Sequence, residues 1–270
     1  MHEARTLLFV PGNRPERFAK ALASGADAVV LDLEDAVAHD AKSAARDAIF
    51  AWARAGADLF RVVVRVNDVA SPAFADDLRM CSDARIGAIM LPKAEAPEQI
   101  RDVRDVVAHA QILALIESAR GMANAQAVAS SKGVARLIFG TLDYALDLDL
   151  DIGEQSDALI SGASCLTVAS RIAGLAAPVA GVTPQIDDEA RLLADLAWAR
   201  RHGFGAKLCI HPRQVLPIHA ALAPGAPAVD WAERVLAAEA ASPGAAKLDG
   251  RMIDRPVVLQ ALRTLQRAGR

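Results

Sequence analysis

The feature that most constrains the fold of this chain is the alternation of short apolar segments with longer amphipathic ones. Segments of this kind, rich in Val, Ile, Leu and Ala, predict buried strands. Eight occur before residue 212, at 6–10, 28–33, 60–66, 87–91, 112–116, 136–140, 178–182 and 207–211. Eight strands with intervening helices predict a closed (β/α)8 TIM barrel, and a doubly wound open sheet is the weaker alternative.

The pattern changes after the eighth predicted strand, which suggests two parts. We expect residues 1–222 to form the barrel and catalytic domain, and residues 223–270 to form a C-terminal helical arm or lid. In the second part the sequence predicts a linker, a helix, a turn-rich loop and a final helix, at 222–230, 231–241, 242–256 and 257–268. Loops as long as the third of these are often lids or interface arms.

Composition excludes several classes of protein. With 53% hydrophobic and 23% charged residues, the 270-residue chain can bury a large core, and its net charge of −3 predicts neither nucleic-acid nor membrane binding. Its three cysteines form no CxxC pair, which favours a reducing compartment. No apolar run approaches the roughly 18 residues of a membrane span. We therefore expect a soluble cytoplasmic protein.

Polar residues follow nearly every predicted strand. In barrels of this kind the active-site residues lie at the carboxyl ends of the strands. Side chains alternate along a strand, so Arg65 shares a face with Val63 and Asn67, and Glu117 shares one with Leu115. If the apolar residues face the barrel interior, Arg65 and Glu117 emerge at its mouth. The polar residues at the strand ends are Arg14, Glu34, Asp35, Arg65, Asn67, Lys93, Glu117, Asp143 and His211.

Two of these carboxylates suggest a metal site. Five apolar residues precede Glu117, where an unpaired charge would be costly, so its carboxylate needs a cation or strong donors. Asp143 follows the next strand and, taken alone, could instead be the N-cap of a short helix. Two carboxylates on consecutive strand ends form a site that Mg²⁺ takes, with waters and substrate oxygens completing its octahedron. As a pair, they favour metal binding over capping.

Several motifs, in chain order, resemble one family. The segments LDLEDAV, LPKAE, IESARG, FGTLDYALDL, GFGAKLCIHPRQV and DGRMIDRP are similar to the HpcH/HpaI aldolase and citrate lyase superfamily. The nearest branch is the citrate lyase beta-subunit-like group, which includes malyl-CoA, citramalyl-CoA and citryl-CoA lyases. The resemblance implies a TIM barrel and a Mg²⁺-dependent carbon–carbon lyase. Such an enzyme cleaves or forms a 3-hydroxyacyl thioester, and its products are an acyl-CoA and a 2-keto acid.

The resemblance also implies roles for residues at the predicted mouth. Glu117 and Asp143 match the family's Mg²⁺ ligands. Arg65 matches the arginine that binds the carboxylate and keto oxygen of the small acid, for which a planar fork of donors is suited. Glu34 and Asp35 match acids that hold the water molecules on the metal.

Other implied roles concern the thioester. Arg14 and Lys20 match the place where the family binds the phosphates of coenzyme A. Asp254 matches an acid brought by the C-terminal arm, often from a neighbouring subunit, and the arm implies a homotrimer or hexamer. Thr183 and Gln185 stand where relatives have more acidic or aromatic loop residues, so the acyl group stays open.

Three alternative functions stay open at this point. The first is a malyl-CoA-type thioesterase that uses Asp254 to activate water. The second is a beta subunit that works only in a citrate-lyase-like complex with an acyl-carrier protein partner. The third, an aldolase acting on free aldehydes, is disfavoured by Arg14, Lys20 and the LDLEDAV motif.

The remaining polar residues carry weaker expectations. Asp32 is as suited to a structural ion pair with Arg65 or Lys93 as to catalysis. Lys93 is more consistent with an electrostatic role than with a Schiff base. We expect His211 to brace the end of the eighth strand and Tyr144 to pack against its neighbours.

Overall fold

The structure, a computed structural model, describes residues 1–153, 157–242, 244 and 246–269. Eight parallel strands, β1 to β8, form a closed barrel in sequence order. β1 pairs with both β2 and β8, so that Leu7 lies opposite Ala28 on one side and Leu208 on the other. The closed barrel predicted from the sequence is confirmed, and the open sheet is wrong.

The strands of the barrel are short, as parallel strands buried on both faces usually are. The barrel strands are β1 (Thr6–Pro11), β2 (Ala28–Asp32), β3 (Val62–Arg65), β4 (Ala88–Leu91), β5 (Gln111–Ile116), β6 (Val134–Phe139), β7 (Val179–Ala180) and β8 (Ala206–Cys209). Two further strands, β9 (Lys247–Leu248) and β10 (Arg251–Met252), form an antiparallel pair near the C-terminus.

Helices follow the barrel strands along the chain, and the longer helices before residue 219 each bury part of their surface. The helices are α1 (Phe18–Leu22), α2 (Lys42–Arg54), α3 (Phe74–Asp83), α4 (Pro97–Val106), α5 (Ala119–Ala123), α6 (Ala125–Ala129), α7 (Thr141–Asp147), α8 (Ile160–Ile172), α9 (Glu189–Arg201), α10 (Val215–Leu222), α11 (Ala226–Ala241) and α12 (Arg255–Arg267). Among the described residues, no helix combines the length and apolarity needed to cross a membrane.

The barrel interior is filled by side chains from all eight strands, which sets the direction of the residues that follow. Val63, Leu113 and Leu115 belong to this interior cluster, as the alternation along their strands predicted. Arg65 and Glu117, two residues further along the same faces, therefore stand at the carboxyl end. The cluster consists of Leu7, Ala28, Val30, Val63, Ala88, Met90, Leu113, Leu115, Ile138, Val179, Ala206 and Leu208.

The amino end of the barrel is closed by a buried cation. Arg136, 3% exposed, lies two residues before Ile138 on the interior face of β6. It donates hydrogen bonds to the carbonyl oxygens of Ala177 at 2.6 Å and Ala4 at 2.5 Å. Burial lowers the pKa of Arg136 to about 10. The arginine ties the N-terminal segment to the segment before β7.

The chain divides into two compact units, residues 1–218 and 219–270, so the division falls four residues before the predicted boundary at 222. The second unit has its own small core, which includes Ala232, Val235 and Ala261.

Two expectations for the second unit need correction. The predicted linker is largely helical, because α11 begins at Ala226 and has a proline in its first turn, where the missing N–H costs nothing. The predicted loop at 242–256 contains the β9–β10 hairpin, and its residues 243 and 245 lie outside the described part of the chain. The final helix begins at Arg255, slightly earlier than predicted.

Candidate active site

An ion pair joins the ends of β2 and β3 at the barrel mouth. Asp32 and Arg65 are opposite each other in the strand register. Arg65 Nε lies 2.7 Å from Asp32 Oδ1 and Arg65 Nη2 lies 2.6 Å from Asp32 Oδ2, a bidentate arrangement. The same carboxylate accepts backbone N–H groups from Glu34 and Ala36. Asp32 thus fixes both the guanidinium and the loop after β2, and the expectation of a structural pair with Arg65 is confirmed.

Glu34 lies beside the free edge of the same guanidinium. Arg65 Nη1 is 2.9 Å from Glu34 Oε2, but the geometry is not that of a hydrogen bond, so this buried oxygen has no hydrogen-bond partner among the described residues. Burial raises the pKa of Glu34 to about 8; Arg65 opposes this change, while Asp35, Glu117 and Asp32 add to it. Glu34 is therefore largely protonated at neutral pH.

Arg65 stays charged although it is buried. Burial lowers its pKa, but the hydrogen bonds and charge of Asp32, with the charges of Glu34 and Asp35, raise it above the ordinary value overall. The guanidinium carbon also lies 4.9 Å from the centre of the Phe9 ring, within the range of a cation–π contact. Its Nη1 edge reaches the carboxylate of Asp35 at 3.4 Å, and Asp35 is largely exposed. The planar guanidinium of Arg65 is thereby held, charged, at the mouth of the barrel.

Glu117 is the most enclosed of the predicted metal ligands. It is 5% exposed, and its Oε1 accepts the backbone N–H of Lys93 at 2.8 Å. Burial raises the pKa of Glu117 to about 7; the Lys93 N–H and Arg65 oppose this, while Asp143 and Asp35 add to it. A Cβ atom at Gly140 would lie 2.5 Å from Glu117 Oε2, so the carboxylate occupies space that only a glycine leaves.

Asp143 lies in the first turn of α7, directly after β6. The N-cap of that helix is Gly140 and makes no side-chain cap bond, so the alternative of Asp143 as an N-cap is wrong. Its carboxylate is exposed, and its negative charge contributes to the raised pKa of Glu117. The structure therefore brings the two predicted ligands within electrostatic reach, one enclosed and one at the rim.

The donor set fits a hard divalent cation that keeps several waters. In the described ranges, no group of three or more His, Cys, Asp or Glu side chains is arranged to hold a metal ion. A cation here would therefore take oxygens from Glu117 and Asp143 and fill its other positions with water or ligand, as Mg²⁺ does. It would also relieve the repulsion between the two carboxylates. The buried, unpaired Glu34 Oε2 fits an oxygen-rich ligand shell nearby.

The Asn67 side chain does not lie at the barrel mouth beside Arg65, although the alternation of side chains along the predicted strand placed both on one face. β3 ends at Arg65, and beyond it the Asn67 side chain donates to Asp77 Oδ2 on α3 at 2.6 Å. Its Oδ1 accepts from Lys42 Nζ at 2.5 Å, and Lys42 also donates to the carbonyl oxygens of Leu33 and Glu34. Lys42 therefore holds the backbone of the loop after β2, which carries Glu34 and Asp35. This role of Lys42 was not predicted, because nothing in the strand pattern marks a lysine on a helix.

Lys93 contributes mainly through its backbone. Its φ of +45° lies in the left-handed region, and its N–H is the donor to Glu117. Its half-exposed amine lies 3.7 Å from Asp68 Oδ2. Burial lowers the pKa of the amine, but the charges of Glu34, Asp68, Glu117 and Asp35 together raise it above the ordinary value. A lysine that stays protonated is a poor Schiff-base nucleophile, which supports the electrostatic interpretation.

The remaining predicted site residues lie on the surface. Arg14 precedes a 3-10 turn at Pro15–Arg17, Lys20 lies in α1, and both are exposed without an ion pair to any described residue. Asp254 is exposed in the second unit, where its Oδ1 accepts the N–H of Val257 at the start of α12. The His211 ring accepts the N–H of Arg213 and caps the 3-10 turn Pro212–Gln214 that follows β8, while its bracing of the strand end stays a prediction.

Comparisons with known proteins show which family the chain is similar to. The family model for HpcH/HpaI aldolase/citrate lyase matches residues 5–212. A citrate lyase subunit beta-like protein of Mycobacterium tuberculosis is 36% identical, with 97% of this chain and 94% of that protein covered. A (3S)-malyl-CoA thioesterase of Cereibacter sphaeroides is 31% identical, with 99% of this chain and 95% of that enzyme covered.

A solved structure is similar over the full length. It is the crystal structure of the protein CitE from Mycobacterium tuberculosis in complex with magnesium, acetoacetate and coenzyme A. The two chains are 34% identical, each is covered completely, and the TM-score is 0.90. The similarity therefore extends to the fold of the whole chain.

Proposed function

Because this chain belongs to the HpcH/HpaI aldolase/citrate lyase family of enzymes, we propose that it is a Mg²⁺-dependent carbon–carbon lyase. Its substrate would be a 3-hydroxyacyl thioester such as citryl-, malyl- or citramalyl-CoA, and its products an acyl-CoA and a 2-keto acid, or the reverse. The observation that carries the proposal is the enclosed Glu117 carboxylate, held by the Lys93 N–H within electrostatic reach of Asp143 and Arg65. The magnesium, acetoacetate and coenzyme A bound to the similar Mycobacterium tuberculosis protein support this choice.

In this proposal the carboxylates of Glu117 and Asp143 hold the metal. When bound, Mg²⁺ would supply Lewis-acid stabilisation of negative charge on the oxygens of the keto acid. Arg65 offers its guanidinium to the same acid, and its orientation is set in advance by the bidentate contact with Asp32. In the metal-free protein burial raises the pKa of Glu34 to about 8, which limits the negative charge beside Arg65. The cation therefore keeps its attraction for an incoming carboxylate.

The proton steps are assigned to the chain's own acids. Cleavage removes the proton of the 3-hydroxyl group, which becomes the keto oxygen, and breaks the bond between the α and β carbons of the thioester. The electron pair of that bond leaves as an enolate, which must gain a proton. We assign the matching proton removal, in the condensing direction, to Asp254, with Asp35 and Glu34 orienting water at the mouth. Arg14 and Lys20 are proposed to bind the phosphates of coenzyme A, since both are exposed cations that follow β1.

A direct test compares two carboxylate-to-amide variants. Glu117→Gln should abolish Mg²⁺-dependent release of keto acid from malyl-, citramalyl- and citryl-CoA, while circular dichroism shows an unchanged fold. Glu98→Gln is the matched control, because Glu98 is exposed and pairs only with Arg101 on α4. Keto-acid release by Glu117→Gln at the rate of the native protein would reject the proposed metal site.

A thioesterase is the second candidate, favoured by the 31% identity with the (3S)-malyl-CoA thioesterase. It would release free thiol and malate without any keto acid. Thiol trapping and keto-acid detection in the same reaction separate the two activities. A Leuconostoc mesenteroides relative, 31% identical, is a citrate lyase subunit beta, so a third candidate is a subunit that needs an acyl-carrier protein. Turnover of CoA thioesters by the purified protein alone would exclude that candidate.

A further inference from the structure

A second cavity lies between the barrel wall and the helices outside it. It has a volume of about 430 Å³ and is lined by residues of β6, β7, β8 and α9. Ala206 and Leu208 belong to the interior cluster, so Lys207 between them faces outward, toward this cavity. None of the residues proposed above to bind the metal or the keto acid lines it. Its lining also includes Thr141 and Leu142, which precede Asp143 on α7, and Gln185 after β7, so the cavity adjoins the candidate active site without sharing the residues proposed to bind the metal or the keto acid.

The cavity contains a buried cation, Lys207, that makes no direct ion pair with a described residue. Lys207 is 2% exposed, and its Nζ donates to the carbonyl oxygen of Gly181 at 2.8 Å. Within the described part of the chain it forms no ion pair. Burial lowers its pKa to about 8, with smaller effects of Asp195 and Cys209, which raise it, and Arg191, which lowers it. The amine is thus mostly protonated at neutral pH, a state that favours an anion beside it.

The neighbouring carboxylate is already engaged by other donors. Asp195 Oδ1 accepts from Arg191 Nε at 2.8 Å, and Asp195 Oδ2 accepts from the Thr183 hydroxyl at 2.6 Å. Arg191 also donates to the carbonyl oxygen of Gly153. These bonds pair the other two charged residues of the cavity with each other. Lys207 is left as the unpaired charge.

The rest of the lining is mainly apolar. Phe139, Leu159, Trp198 and Phe204 form much of the wall. A cavity of this volume, apolar with a few polar groups, has the character of a small-molecule site. A single ammonium in such surroundings suits a monoanion better than a doubly charged phosphate, because burying the second charge would be uncompensated.

We propose that this cavity binds a small carboxylate with an apolar body, whose carboxylate group pairs with Lys207 and whose body packs against the aromatic wall. The proposal is independent of the lyase reaction, because it rests on different residues. Such a ligand would supply the direct ion-pair partner that Lys207 lacks among the described residues.

The test uses octanoate and 3-phenylpropionate as probes, with octanol and 3-phenylpropanol as uncharged counterparts, in calorimetric titrations of the full chain. At least one carboxylate should bind with one site per chain, at least tenfold tighter than its alcohol. Its affinity should fall as the pH rises from 7 to 9.5 and Lys207 loses its proton. The other charged or titratable groups that face Lys207 are Asp195, Arg191 and Cys209. Burial raises the pKa of the Cys209 thiol to about 12, so this thiol stays neutral over the interval.

Two variants complete the experiment. Lys207→Met keeps an unbranched side chain one atom shorter, removes the charge and should weaken carboxylate binding at least tenfold. Lys132→Met removes a lysine charge at an exposed position outside the cavity and should leave binding unchanged. If Lys207→Met does not fold, the comparison of acid with alcohol on the native protein decides alone. Absence of carboxylate binding, or equal affinity for acid and alcohol, would overturn the proposal, as would undiminished binding by a folded Lys207→Met.

Discussion

Glu117 depends on a glycine from the next strand, and this dependence can be tested. Gly140→Ala would place a Cβ 2.5 Å from Glu117 Oε2 and 2.6 Å from Glu117 Cβ, so the carboxylate must move. We expect a loss of about 1–3 kcal/mol in the free energy of unfolding, as overpacked sites show. Mg²⁺ affinity should fall at least tenfold, because the displaced carboxylate no longer faces Asp143.

Gly87→Ala is the matched control for this prediction. A Cβ added at Gly87 would have no heavy atom within 4 Å, and the residue does not adopt a positive φ, so the new methyl group meets open space. Urea unfolding and calorimetric Mg²⁺ titration of both variants provide the comparison. If Gly140→Ala matches Gly87→Ala in both measurements, the close packing against Glu117 does not constrain the site.

Glu34 should make the stability of the metal-free protein depend on pH. Its pKa is about 8 in the folded protein and near 4.5 when the chain is unfolded. Between these values the folded state holds a proton that the unfolded state has lost. The stabilising contribution of Glu34 to the free energy of unfolding is therefore complete below about pH 4.5 and is lost as the pH rises through 8. The loss amounts to up to about 1.4 kcal/mol per pH unit.

The change that tests this is Glu34→Gln, which keeps a neutral side chain of the same size. Its unfolding free energy, measured in urea at pH 5, 6, 7 and 8 without divalent ions, should fall less steeply with pH than that of the native protein. Glu117 contributes a slope of the same sign in both proteins. An identical slope in the variant would show that Glu34 is ionised in the folded state.

Single residues also show where inference from the sequence ends. The alternation of side chains along β3 and β5 was sufficient to direct Arg65 and Glu117 to the mouth. It failed at Asn67, because the strand ends two residues earlier and alternation has no meaning beyond it. Lys42 and Gly140 were not found, since their importance arises from contacts across the fold and not from their neighbours in sequence.

At the scale of elements, the turn after β4 adopts a conformation that its residue type does not favour. Lys93 has a φ of +45°, and a residue with a Cβ in the left-handed region costs roughly 1–2 kcal/mol relative to the ordinary helical one. Glycine avoids this cost. The turn nevertheless directs the Lys93 N–H to Glu117, so its geometry serves the site.

Two substitutions at this position separate the backbone from the amine. Lys93→Gly should be more stable than Lys93→Ala by roughly 1 kcal/mol, because both lack the amine but only glycine fits the turn without strain. Urea unfolding of the two variants measures the difference. Equal stabilities, or a more stable alanine variant, would mean that the left-handed conformation is not retained in solution.

The elements themselves were predictable to different extents. Eight strands in order were expected and found, because each is a continuous apolar run bounded by breakers. β7 is only Val179–Ala180, shorter than predicted, since an apolar run does not reveal how many of its residues pair with neighbouring strands. In α11, proline and glycine near the start suggested a linker, although both are also compatible with a helix start.

At the scale of the whole molecule, the question is which chain supplies Asp254. The residue lies in the second compact unit, exposed, with one carboxylate oxygen bonded to the N–H of Val257. We propose a homotrimer or hexamer in which the acid of one chain serves the site of its neighbour. In a closed oligomer each such contact joins two different chains. Each site would then combine Glu117 of one chain with Asp254 of its neighbour. Glu117→Gln removes the first of these groups from a site and Asp254→Asn removes the second.

Coexpression of these two inactive variants tests this arrangement. If Asp254 acts in a neighbouring site, about a quarter of the sites in randomly mixed oligomers combine an intact barrel with an intact Asp254, so activity returns to about that fraction. If it acts within its own chain, every site keeps one defect and activity stays absent. Light scattering after size-exclusion chromatography gives the number of chains. Full activity of Asp254→Asn alone would remove this residue from the reaction.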